Sequence, residues 1–280
     1  MAAMRRESFP VEGPVALVVR APAGVVEIEA GDVSEATVEL EAERDSAEGP
    51  VQDAVIELRP GSDRPELLVD IQHGFRLGGR RGPRLSIVFG GGPSVRAVIR
   101  VPTGSSVEVS AEAADVTGTG RFDRADVKSA AGDVRLDEVE GDVQVKCVAG
   151  DVTLGSIGGA VNVNSVSGDA SVGRVAGPAV FQTVSGDIEL READSSVQAK
   201  TISGDVRIGA VVKGAVTLQS VSGDLSVGLR SGSKLFVNAR STSGKTTSEL
   251  EVRDEPPANG GPLVELQAKS VSGDIRIVRA

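Results

Sequence analysis

From Gly150 to Asp224, apolar residues recur in a fixed relation to a glycine. Counted from Gly150, positions +2, +4 and +7 are Val152, Leu154 and Ile157; counted from Gly159 they are Val161, Val163 and Val166. The register returns at Val206, Ile208 and Val211 after Gly204, and at Val216, Leu218 and Val221 after Gly214. Alternation at +2 and +4 is the two-residue period of a strand with one buried face. The glycines belong to Ser-Gly-Asp, or Ala-Gly-Asp at the first, and stand at Gly150, Gly168, Gly186, Gly204 and Gly223, with weaker turns halfway at Gly159, Gly177, Ser195 and Gly214. A unit of about nine residues holds a strand of about five and a tight turn, and it cannot bury its apolar edge alone. The pattern predicts an all-β chain folded as a β-solenoid, right-handed, with about 18 residues per coil in two nine-residue strand-turn units.

The register extends beyond this stretch. Ala125, Val127 and Ala130 obey it, Gly132 and Gly141 lead into Gly150, and the segment Ala97 to Val101 is a strand that ends at Pro102. Toward the other end Leu235 and Val237 still fit, whereas Thr246 and Ser248 stand where apolar residues belong. Asp254 to Pro262 reads as an insertion, followed by Leu266, Ala268, Val271, Ser272-Gly273-Asp274 and a last strand, so the final two units are expected to close the stack. Residues 1–96 read as a β-rich capping region over the first coil of the repeats in 97–280, because an open end presents unpaired strand edges. A hairpin is predicted from Val55 to Leu58 and from Leu67 to Ile71, with Asp45 to Pro50 as an exposed loop and no helix anywhere.

Composition supports a narrow interior. The 280 residues include 35 Gly and six Phe and no Trp or Tyr, a poor stock for an aromatic-filled core but adequate for one built from Val, Ile, Leu and Ala. The net charge of −10 and the missing stacking rings argue against nucleic-acid binding. No apolar run long enough for a signal peptide or a membrane span occurs, so the chain as written is expected in the cytoplasm, and at the surface if a leader lies upstream.

Candidate chemistry is sparse. Residues 71 to 107 carry no acidic side chain, and Arg76, Arg80, Arg81 and Arg84 fall in a Gly-rich loop over 74–93 that reads as a solvated loop balancing nearby Glu and Asp, or as one that meets an anionic partner, with a membrane contact as the lesser alternative. The glycines there do not form a phosphate loop. His73 has no second ligand nearby and reads as a surface histidine; Cys147, the one cysteine, reads as a small buried residue beside an inward Val148, with no base to activate it. Stacked coils would place Asp151, Asp169, Asp187, Asp205 and Asp224 in a ladder. Such a column is compensated either by backbone N–H groups two residues on or by a cation such as Ca²⁺. One Asp per coil supplies too few ligands, so no metal and no cofactor is expected. Nothing names a nucleophile or a general base, and the chain is read as a non-catalytic protein.

The units Val184 to Leu190, Ile202 to Ile208, Val221 to Val227 and Val271 to Ile277, with the entry Val98-Ile99-Arg100-Val101-Pro102-Thr103-Gly104, resemble the bacterial putative-adhesin family of β-strand-repeat proteins. The likeness covers residues 97 to 280 well and the first 96 loosely. The resemblance implies a solenoid and brings no catalytic residues with it; the chain is read as a scaffold or as a protein-binding or self-associating module, with an exported cell-surface adhesin stabilised by Ca²⁺ as the alternative.

Overall fold

The computed structural model of the chain describes residues 3–71, 94–230, 234–249 and 263–280. The chain is all-β, a parallel sheet that wraps nearly closed in the manner of a solenoid. Strands that follow Ser-Gly-Asp stack in one column: Val152 lies beside Ala170, and Ala170 beside Ile188. Strands that follow the weaker turn stack in a second column, where Val143 lies beside Val161 and Val161 beside Ala179. Each column hides its apolar side chains in the space between the two. Val152, Leu154, Val161 and Val163 are all about 1% exposed, and each such side chain stabilises the fold by about 1.5–3 kcal/mol.

The parallel stacking reaches back to Ala16. The strand Ala16–Gly31 runs beside Ser106–Phe122, with Leu17 next to Val107 and Val26 next to Val116. Antiparallel strands then cover this end. On one face Glu35–Ala42 pairs with Val95–Pro102 and is covered in turn by Met4–Pro10; on the other, Val55–Arg59 and Glu66–Asp70 form the expected hairpin. The segment expected as an exposed loop is instead helical. A turn at Asp45–Ala47 leads into a short helix, Glu48–Asp53, which buries Ala47 and Val51. Two fully buried apolar residues four apart are a helical signal too short to stand out in the sequence. Of the arginines in the stretch without acids, Arg96 meets Glu27 at 3.0 Å and Arg100 meets Glu29 at 2.6 Å.

At the far end the order of coils departs from the order of the chain. Leu263–Ser272 lies between Gly214–Ser222 and Lys234–Ser243. Ile275–Arg279 lies between Leu225–Leu229 and Thr246–Ser248 in the same way. The final segment therefore does not close the stack, as expected from the sequence, but is inserted one place inward. Apolar burial explains the exchange. Val264, Leu266, Ala268, Ile275 and Ile277 are no more than 1% exposed, whereas the outer coil offers Thr246 and Ser248 and leaves Val237 at 39% and Phe236 at 66%. The better apolar coil takes the place with neighbours on both sides.

Candidate functional site

The first-column strands bend after +4, and +7 re-enters the core at Ile157, Val175, Ala193 and Val211. In the second column the alternation continues unbroken. Position +6 then points inward, which buries Ser129, Cys147, Ser165, Thr183, Thr201 and Ser220. Position +7 points outward. Val148, Val166, Val184, Ile202, Val221 and Val271 stand 42–53% exposed, as a column of apolar side chains on the surface. Val166 and Val221 therefore leave the core assigned to them from the sequence, Val148 is not inward, and Ala130 is exposed as well. The period of two decides this, because a residue that follows an inward one must face out.

The aspartate ladder exists, and its compensation differs from the local turn that was expected. An Asp151 carboxylate oxygen accepts the backbone N–H of Asp169, in the next coil rather than two residues on, at 2.9 Å. The same bond links Asp115, Asp133, Asp151, Asp169, Asp187, Asp205, Asp224 and Asp274 in turn, and the last accepts from Lys245, all at 2.7–3.0 Å. A parallel corner leaves that N–H facing the coil below, and the carboxylate fills the gap. Arg207 shares the charge, 2.6 Å from Asp205 and 3.6 Å from Asp187. Among the described residues no group of three or more His, Cys, Asp or Glu side chains converges as metal ligands would. Through its inter-coil hydrogen bonds the ladder joins each coil to the next as a structural seam. Asp187→Ala is expected to cost about 1–2 kcal/mol through the lost charge-assisted bond, and Asp187→Asn less, because the amide still accepts while repulsion falls. Urea melts at low and high salt check this, since screening should stabilise the natural chain more than Asp187→Asn.

Cys147 sits in the buried hydroxyl column, 4% exposed, with its thiol donating to the Ala149 carbonyl at 3.3 Å. Burial pushes the thiol above its ordinary value of 9.0, and the Asp133 and Asp151 carboxylates push the same way against that hydrogen bond. Because the folded thiol holds its proton longer than the unfolded one, its contribution is intact below about pH 9 and lost as pH rises further. Native protein is expected to resist iodoacetamide at pH 8. Cys147→Ser should cost about 1 kcal/mol or less, since serine fills the same place at Ser129 and Ser165, and should remove the alkaline loss; alkylation followed by mass spectrometry and a pH series of melts measure both.

Beside the apolar column the surface is concave. The strands Ala179–Gln182 and Val197–Lys200 stop short of their neighbours Val161–Ser167 and Gly214–Ser222. A groove of about 770 Å³ opens over them. One wall is the apolar column from Val184 to Val271. The other is a polar column of direct register partners, Gln182 beside Lys200, Lys200 beside Gln219, Gln219 beside Lys269 and Lys269 beside Arg240. Thr183, Thr201 and Ser220 line the floor, with hydroxyl oxygens shielded from solvent and without a hydrogen-bond partner. Sequence reasoning missed this groove, and the signal for it was present: in the second column +6 is always Ser, Thr or Cys, and +7 is mostly Val or Ile. Arg76, Arg80, Arg81, Arg84 and His73 lie outside the described residues.

Stacked parallel strands, an inter-coil seam and a groove along the stack define a β-repeat protein. The chain belongs to the Toastrack DUF4097 family, whose pattern matches residues 25–182 and again 161–278. Several solved structures align with it over nearly the whole of each chain. A putative adhesin from Bacteroides fragilis shares 14% identity over 98% of this chain and 97% of its own, with a TM-score of 0.49. A putative adhesin from Parabacteroides distasonis shares 12% over 98% and 96%, at 0.41. A putative cell adhesion protein from Clostridium sporogenes shares 11% over the whole of both chains, at 0.33. No curated protein matches the chain.

Proposed function

We propose that this chain is a non-catalytic binding module, a right-handed solenoid of 18 residues per coil whose apolar column and groove take up another polypeptide chain, either a second copy or a partner protein. The observation that carries the reading is the run of half-exposed Val and Ile beside a concave polar wall. Apolar surface arranged in a line and rimmed by polar groups marks a site of association. Among the described residues the groove lining has no carboxylate, histidine or cysteine, which favours binding over catalysis. Light scattering over a hundredfold concentration range tests the reading on the natural chain and on Ile202→Lys. A mass that rises from 28.6 kDa and is held there by Ile202→Lys assigns the face to self-association. A constant monomer assigns it to a different protein. A rise that is equal in both chains overturns the reading.

A further inference from the structure

We propose that the groove binds an extended polypeptide segment in which apolar and acidic side chains alternate. This rests on the reading of the groove face as a binding surface, and it adds the chemistry of what is bound. The chain carries 40 acidic residues and a net charge of −10, yet among the described residues no carboxylate lines the groove, while Lys200, Lys269 and Arg240 do. A cationic lining favours an anionic ligand. Opposite the cations stand Val184, Ile202, Val221 and Val271, so the ligand also needs an apolar edge.

The geometry points to a polypeptide. Rungs follow one another at about 4.8 Å, so the wall from Gln182 to Arg240 is roughly 19 Å long, the span of about six extended residues. Its polar side continues along the whole length, with Gln182 and Gln219 beside the cations. An acyl chain laid there would leave those amides without partners, whereas a polypeptide offers them backbone carbonyl and N–H groups and offers the cations its carboxylates. A sugar polymer would lack the aromatic platforms on which such rings stack, since among the described residues the lining holds none. Added-strand pairing is closed on this face because the backbone is already used between coils: Thr183 N–H donates to the Lys200 carbonyl and Thr201 N–H to that of Gln219. The shielded hydroxyls of Thr183, Thr201 and Ser220 shape the floor without reading the ligand. Recognition therefore falls to the two walls.

Fluorescence anisotropy with labelled peptides of about eight residues on the full chain tests this at ~50 mM salt. The probes are alternating Val-Glu, alternating Val-Lys and alternating Ser-Glu. Val-Glu is expected to bind about tenfold tighter than either other peptide and to weaken as salt rises. Ile202→Asp and the pair Lys269→Glu with Arg240→Glu are each expected to weaken it about tenfold, at a melting temperature that shows the fold intact; Ile202→Ser serves if the aspartate disturbs folding. Equal binding of Ser-Glu reduces the groove to a charged patch and overturns the proposal, as does binding of all three peptides alike or binding untouched by the substitutions. Should these fail while Ile202→Lys still abolishes self-association, the face binds a chain of another chemistry and only the present inference falls.

Discussion

Leu266→Asp is expected to cost about 4 kcal/mol or more, while Val237→Asp costs about 1 kcal/mol or less. The two residues are direct partners in adjacent strands, and a chain stacked in sequence order would reverse the ranking. In that order Val237 would be sandwiched and Leu266 would sit in the terminal coil. Instead Leu266 is fully buried with a strand on either side, and Val237 keeps 39% of its surface in water. A buried aspartate without a partner forfeits its hydration, whereas an edge aspartate keeps most of it. Chemical denaturation of both variants gives the answer, and equal losses would contradict the inserted coil.

Gly186→Ala is expected to cost roughly 3 kcal/mol or more, from a strained backbone and a steric clash together. Gly186 has φ +144°, and a Cβ added there would stand 2.1 Å from the Gly168 carbonyl oxygen in the neighbouring coil. Neither the turn nor the spacing between coils can yield without breaking the adjoining seam, where the Asp187 N–H donates to Asp169 at 2.8 Å. The contrast with Gly13, where an added Cβ meets nothing within 4 Å, supplies the control: Gly13→Ala should leave the melting temperature within a degree or two.

Most of the stack was legible because its cause is local. Ser-Gly-Asp recurs where a corner needs glycine, and the alternation at +2 and +4 is what a narrow shared core requires. Three features were not legible, each for a physical reason. The outward turn of Val166 and Val221 depends on whether the strand bends after +4, and Gly155-Ser156 bends where Lys146-Cys147 does not. The inserted coil is a competition between two segments for one place, decided by total apolar burial rather than by either sequence alone. The seam of aspartates was placed correctly, but its bond partner lies in the next coil and no reading of one turn could supply it. The groove is hidden for the first of these reasons, since the register places Val221, a residue of its apolar wall, in the core.

The proposed function requires that one face of the stack be the binding face. A photoreactive residue placed at Ile202, in the groove, and in a second chain at Glu189, exposed on the other column, tests this in the organism that makes the protein. A discrete polypeptide adduct is expected from position 202 that is absent at position 189 and lost when Lys269→Glu and Arg240→Glu are added. Adducts of equal yield from both positions, or none at 202 with the protein folded, would contradict it.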